Sequence, residues 1–415
     1  MDKTQMSIDE QVEYLMQGTE YGDEALKQAM RNELHQRLIE AKREERPLRV
    51  YCGYDPTKPD LTLGHTITMR KLAQFQELGH EVTFLIGTYT SLIGDPSDKN
   101  KLRPILTPEE VETNSRTYAE QIFQLNILDR NKTRIRYNAE WLERLTFEQL
   151  INLCSNFTIQ QFIGRENFKL RWEQSEPIYV HEFFYAIMQG YDAYSLRADV
   201  QVGGSDQLFN IITGARKIMT YLGEKPNIGI IMGLLPGTDG EVKMSKSQGN
   251  YIPLDTTAED MYGKLMSIPD KAMPIYFRLV TRWTASEITA MENDIASGKL
   301  HPRDAKMKMA REVTEIFYGI EGAKRAEGNF VSVFQKGNLP KEMPSFTLQS
   351  GQTVLDVLIE GKLVRSKSEG RRLIEQNGVR LDGETLKDPS QVFPHPGILQ
   401  AGKRRFLKVI SQITA

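Results

Sequence analysis

Two short runs carry residue types that could act on a phosphate chain. The first, Pro56-Thr57-Lys58-Pro59-Asp60-Leu61-Thr62-Leu63-Gly64-His65, is a turn rich in proline, threonine and glycine that delivers His65 to the start of an apolar helix. Such a helix start gathers unpaired backbone N–H groups and the positive end of the helix dipole at one point, which suits phosphate. Gly64 permits close backbone approach, and His65 can donate a hydrogen bond to a phosphate oxygen. The second run, Lys243-Met244-Ser245-Lys246-Ser247, sets two lysines on a loop after a strand. They can offset the charge that develops on a triphosphate attacked at its α-phosphorus. Each run also has a plainer reading, a helix cap in one case and a solvated turn in the other. Found together, amid alternating strands and helices, they favour the chemistry.

The elements around these runs follow a regular plan. Residues 1–46 read as helices with charged faces. Leu48 to Cys52 is a short strand, with Val50 and Cys52 on one side and Arg49 and Tyr51 on the other. Gly64 to Leu78 is helical, with Ile67, Phe75 and Leu78 on one apolar face and Gly79 at its end. Val82 to Gly87 is a nearly continuous apolar strand, as expected when both sheet faces are covered. Thr107-Pro108-Glu109-Glu110 opens another helix as a capping box with proline at N1. Helix is then expected to continue to about residue 196. Asp199 to Val202, Gly203-Gly204 and a helix from Ser205 repeat the strand–turn–helix plan, and Ile228 to Leu235 leads into the lysine loop.

This pattern predicts an α/β fold, a Rossmann-like doubly wound parallel sheet spanning 47–255 with a helical insertion near 113–196. A helical domain over 256–335 follows, with capping boxes at Thr256-Thr257-Ala258-Glu259 and Thr284-Ala285-Ser286-Glu287. Residues 336–350 read as a linker, and 351–415 as a small α+β module.

The chain has 415 residues, enough for two or three domains. Charged residues make up 26% of it and the net charge is -2, so any RNA contact must come from local basic patches. Cys52 and Cys154 form no CxxC pair, disulfide framework or zinc quartet, which fits a reducing compartment. Asp2, Asp9, Glu10 and Glu13 argue against a transit peptide, and no apolar run approaches the ~20 residues that span a bilayer. A cytoplasmic protein with no membrane contact is expected.

With Tyr51-Cys52-Gly53-Tyr54-Asp55-Pro56-Thr57, Leu92-Ile93-Gly94-Asp95-Pro96-Ser97, Tyr191-Asp192, Gly203-Gly204-Ser205-Asp206-Gln207 and the lysine loop in this order, the chain resembles the bacterial tyrosyl-tRNA synthetase family over nearly all its length. The two opening runs then look like the paired ATP signatures of class I synthetases. The resemblance implies that L-tyrosine is activated with ATP, which carries Mg2+, and is then transferred to tRNA(Tyr); no protein-bound metal cage is expected. It implies that Tyr51 and Asp192 bind the phenolic hydroxyl, satisfying both its donor and its acceptor. Phenylalanine would leave both groups unpaired, at a cost on the order of a few kcal/mol. Tyr185 and Gln189 share a helix face with Asp192 and, with Asp95, would hold the amino group and ring. Gln207 would orient the carboxylate. ATP would meet Cys52, Gly53, Asp55, Gly64, His65, Gly204, Asp206, Lys243, Met244, Ser245, Lys246 and Ser247. Lys99 and Arg103, four apart, look like a basic clamp on the leaving pyrophosphate.

One departure stands out. The family's first motif generally reads His-x-Gly-His, and this chain has Thr62-Leu63-Gly64-His65. By resemblance the first histidine stabilises the γ-phosphate together with Thr57. A threonine there is shorter and never cationic, so adenylation about 10-fold slower is expected, and Thr62→His should be at least as fast as the parent.

Residues 351–415 hold eleven Lys/Arg against seven Asp/Glu, a local charge of +4. A basic helix beside a short hairpin suits an RNA backbone. The module resembles the small RNA-binding domain shared with a ribosomal small-subunit protein, with Arg365, Lys367, Arg371 and Arg372 as its candidate contacts to the tRNA elbow and long variable arm. A homodimer formed by the insertion around Phe157 to Trp172 is expected by the same likeness. Two rivals remain at this stage, a tryptophanyl-tRNA synthetase and a non-catalytic RNA-binding paralogue.

Overall fold

The computed structural model describes residues 3–56, 61–96, 107–124, 127–245, 248–332, 343–349, 351–364, 366–402 and 405–411. Thr57, Lys99, Arg103, Lys246, Ser247 and Arg365 lie outside the described residues. The chain divides into two compact units, 1–326 and 327–415.

The first unit opens with α1 (Ile8–Met16) and α2 (Glu24–Arg43), then β1 (Arg49–Tyr54), α3 (Thr66–Glu77) and β2 (Glu81–Ile86). After α4 (Pro108–Gln124) come β3 (Thr133–Tyr137), α5 (Ala139–Leu142), α6 (Phe147–Cys154), α7 (Ile159–Ile163), α8 (Glu166–Glu173) and α9 (Val180–Ser195). β4 (Val200–Gly204), α10 (Arg216–Tyr221) and β5 (Ile228–Met232) complete the sheet. Every strand pairing in it is parallel, and the order is β3-β2-β1-β4-β5. The chain therefore winds outward from β1 in one direction and from β4 in the other. A crevice opens where the order reverses, beyond the carboxyl ends of β1 and β4. β2 and β5 are buried almost throughout, as strands covered on both faces must be. The free edge of β5 is covered by the segment after α1, where the Glu20 N–H donates to the Ile231 carbonyl at 2.8 Å.

β3 corrects the expectation of continuous helix from 113 to 196. Its five residues alternate threonine, isoleucine and tyrosine with Arg134 and Arg136, and they pair with β2 in register from Val82↔Thr133 to Ile86↔Tyr137. An edge strand faces water on one side, so its sequence is half polar and lacks the continuous apolar run of the inner strands.

Helices α11 (Ala258–Met266), α12 (Met273–Val280), α13 (Ala285–Ala296) and α14 (Pro302–Phe330) follow. Thr284 and Glu287 form the expected capping box; at α11 the cap is Thr257, paired with Asp260, one residue later than expected. Gly319, at φ 70°, breaks α14.

The second unit contains β6 (Ser345–Leu348), α15 (Val354–Glu360), α16 (Lys367–Glu375), β7 (Val379–Leu381), β8 (Glu384–Thr385), β9 (Gly397–Ala401) and β10 (Arg405–Ser411), with sheet order β6-β10-β9-β7-β8. Its own core includes Val354, Leu358, Ile374, Val379, Leu399 and Leu407. β6 lies inside the stretch expected to be linker. Phe346 and Leu348 pack on that core while Ser345 and Thr347 face out, a two-residue alternation too short to read in advance.

Candidate active site

A cavity of about 520 Å3 fills the crevice between β1 and β4. Its lining gathers residues from distant parts of the chain: Tyr51 to Asp55 at the carboxyl end of β1, Thr62, Gly64 and His65 before α3, Asp95, one face of α9, Gly203, Gly204, Asp206 and Gln207 at the carboxyl end of β4, and Lys243 to Ser245. Of the residues expected to meet tyrosine or ATP, all that are described line it. Lys367, Arg371 and Arg372 lie on the exposed face of α16 in the other unit.

One end of the cavity is built around a buried carboxylate. Asp192 on α9 accepts the Trp141 indole N–H on Oδ1 at 2.7 Å and the Asn138 amide N–H on Oδ2 at 3.2 Å. Burial pushes its pKa up to about 8, against the pull of these two donors and with a push from the charge of Asp55. Tyr51 is 1% exposed, and its hydroxyl donates over 3.5 Å to the Gln189 carbonyl. The buried Gln189 Oε1 makes no hydrogen bond among the described residues.

From there a hydrogen-bonded chain crosses the site. Asn138, fully buried, also donates to Thr90 Oγ1 at 3.0 Å and accepts from the Tyr89 N–H at 2.8 Å. Thr90 donates to Asp55 Oδ1 at 2.8 Å, and the Tyr185 hydroxyl donates to Asp55 Oδ2 at 2.9 Å. Only glycine fits at position 87, because a Cβ there would stand 2.0 Å from Asp55 Oδ1. Nearby, Gln207 donates to Asp95 Oδ2 at 2.6 Å and accepts from Asn210 at 3.0 Å.

Sequence reasoning missed Asn138, Trp141 and Thr90. Asn138 and Trp141 come directly after β3, at the carboxyl end of a parallel strand where ligand-facing residues collect. Reading β3 as helix hid that signal.

At the other end the two opening runs meet. A Cβ on Gly64 would lie 3.8 Å from the Met244 Cβ. Leu63 N–H donates to the Ile252 carbonyl at 2.9 Å and Leu254 N–H to the Leu61 carbonyl at 3.1 Å, so the first run is bridged to the segment after the lysine loop. Lys243 Nζ donates to Asp206 Oδ2 at 2.7 Å. The base of the lysine loop is clasped by Asn250. Its Oδ1 accepts the Ser245 N–H at 2.8 Å and its Nδ2 donates to Asp239 Oδ2 at 2.5 Å. The Cys52 thiol at the cavity wall is pushed up to about 12 by burial, so it stays protonated at neutral pH and is no nucleophile.

Known proteins match this arrangement. The family profile "tRNA synthetases class I (W and Y)" matches residues 42–335, and the "S4 domain" profile matches 355–393. A tyrosine–tRNA ligase of Moorella thermoacetica is 45% identical over 88% of each chain. One from Thermotoga maritima is 44% identical over 90% of this chain and 92% of its own length, and one from Desulfotalea psychrophila 41% identical over 97% and 98%. The crystal structure of a C-terminally truncated mitochondrial tyrosyl-tRNA synthetase from Aspergillus nidulans shares the fold at a TM-score of 0.62 and 24% identity, covering 80% of this chain and 95% of its own. With a sheet wound outward from a central crevice, a synthetase profile over most of its length and an S4 domain behind it, the chain belongs to the tyrosine–tRNA ligase family of class I tRNA synthetases.

Proposed function

We propose that the cavity joins L-tyrosine to ATP and that each lining residue acts as follows. The phenol sits between Tyr51 and Asp192, donating to the carboxylate and accepting from Tyr51. The α-ammonium lies toward Tyr185, Gln189 and Asp95, and Gln207 turns the carboxylate toward ATP. That carboxylate attacks the α-phosphorus, and the bond to the β-phosphate oxygen breaks to release pyrophosphate. Asp55, Cys52, Gly53, Gly204 and Asp206 hold the ribose and α-phosphate side; His65, Lys243, Lys246, Thr57, Lys99 and Arg103 offset charge on the leaving phosphates. Mg2+ arrives with ATP. A terminal ribose hydroxyl of tRNA(Tyr) then attacks the acyl carbon and AMP leaves. The S4 domain grips the tRNA through Arg365, Lys367, Arg371 and Arg372, and the reaction runs in the cytoplasm.

The observation that carries this reading is the buried Asp192, fixed through both oxygens beside Tyr51. A site with these two groups rewards a hydroxyl at the ring's far end, and phenylalanine leaves them unpaired. Tyrosine-dependent ATP–pyrophosphate exchange, with phenylalanine and tryptophan in parallel, tests it. Exchange with tyrosine alone is expected; none with any of the three would overturn it.

The active form is proposed to be a homodimer built on the helical insertion. In support, that insertion exposes Phe147 at 77%, Ile159 at 66%, Trp172 at 66% and Val180 at 70%. Val180→Asp should shift sedimentation to the monomer; an unchanged dimer would move the interface elsewhere.

A further inference from the structure

The segment that carries Asp95 is gripped from the helical insertion. Asp95 itself is 7% exposed, and Gln207 donates to one of its oxygens. Its backbone follows Gly94, at φ 80°, and precedes Pro96, which has no N–H to offer. The Pro96 carbonyl is therefore the polar handle on the chain just beyond Asp95. Asn167 Nδ2 on α8, 71 residues further on, donates to that carbonyl at 2.6 Å. Arg165 sets the same corner in place. It precedes α8 with extended backbone and makes no side-chain cap. Its guanidinium turns inward instead, over the rings of Phe168 at 5.2 Å and Phe209 at 4.7 Å. Burial pulls the Arg165 pKa below the usual guanidinium value, and the charge of Asp95 opposes that pull. Phe209 lies two residues after Gln207, so the corner between α7 and α8 meets both Pro96, beside Asp95, and the turn whose Gln207 bonds Asp95.

We propose that Asn167 is a positioning residue for the α-ammonium of tyrosine: its amide fixes the Gly94–Pro96 segment so that the Asp95 carboxylate faces the ammonium. The inference rests on the tyrosine pose proposed above. The insertion then sets affinity at the amino end of the substrate, while Tyr51 and Asp192 set it at the phenol.

Two inhibitors of tyrosine-dependent exchange test it. Tyramine keeps the ammonium and lacks the carboxylate; 3-(4-hydroxyphenyl)propionate keeps the carboxylate and lacks the ammonium. In Asn167→Ala the KM for tyrosine and the inhibition constant of tyramine are expected to rise about 10-fold. The inhibition constant of the propionate and the KM for ATP stay within about 2-fold of the parent. Asn167→Asp keeps the shape but sets an acceptor against the Pro96 carbonyl, so its loss is at least as large. Equal losses for the two inhibitors would mark a merely structural role and overturn the proposal. Asp95→Asn separates the proposal from the reading beneath it. Weakened tyramine in Asp95→Asn, beside parental tyramine in both Asn167 variants, overturns the role of Asn167 alone. Parental tyramine in Asp95→Asn overturns the tyrosine pose, and the proposal with it.

Discussion

At the scale of single residues, the proposed recognition of tyrosine turns on how Asp192 is held. Trp141 and Asn138 supply N–H donors that orient its two oxygens and stabilise their charge. Trp141→Phe removes one donor and keeps the ring; the KM for tyrosine should rise about 10-fold, about 1.4 kcal/mol, with the KM for ATP unchanged. Proton occupancy gives a second prediction. Burial raises the Asp192 pKa from 3.8 to about 8, so between these values the folded protein keeps a proton that the unfolded chain has lost. Stability from this group therefore falls as pH rises from about 4 to about 8, the reverse of a salt-bridged aspartate. Asp192→Asn should raise the melting temperature at pH 8 and weaken tyrosine binding. In the parent, calorimetric affinity for tyrosine should increase between pH 6.5 and 8.5 as the carboxylate, the stronger acceptor, forms; in Asp192→Asn it should be flat. The sequence pointed to Tyr51 through a seven-residue run, and to Asp192 through the short Tyr191-Asp192 pair that falls in order among the other runs. Nothing local marked Trp141, whose role depends on where β3 ends.

At the scale of elements, the lysine loop shows how a short run is shaped by a residue outside it. Asn250 spends both ends of its amide on the loop's base, and Gly237 leaves room for it, since a Cβ there would stand 2.2 Å from Asn250 Nδ2. Asn250→Ala should lower the exchange kcat on the order of 10-fold while global stability, read by urea unfolding, changes by about 1 kcal/mol or less. A large stability loss with unaltered kcat would make Asn250 merely structural. Elements were legible where burial is complete or a cap is local. β2 and β5 read as continuous apolar runs, and Thr107 bonds Glu110 as its capping box required. β3 and β6 escaped because both are short and lie at sheet edges, where half the side chains are polar and pairing partners are distant in sequence.

At the scale of the whole molecule, each unit has a core of its own, and every lining residue of the cavity belongs to the first. A chain ending at residue 332 should keep tyrosine-dependent exchange within a few-fold and lose charging of tRNA(Tyr), measured by acid-precipitable tyrosine. Loss of exchange would mean that the second unit completes the site. A doubly wound parallel sheet was foreseeable from alternating strands and helices, since few topologies satisfy that alternation. The split into units was harder to place. It falls at Glu327, within α14, where helix periodicity continues without a break in composition.

The partner of Val50 in β4 is Val200, so 150 residues separate the two sides of the crevice along the chain. A ribosome adding about 5–20 residues per second needs roughly 8–30 s to make that stretch. For that time β1 has β2 beside it and an open apolar edge on its other flank. Birth of the enzyme thus includes a window in which its central strand is available to chaperones, or to the β1 of a neighbouring nascent chain.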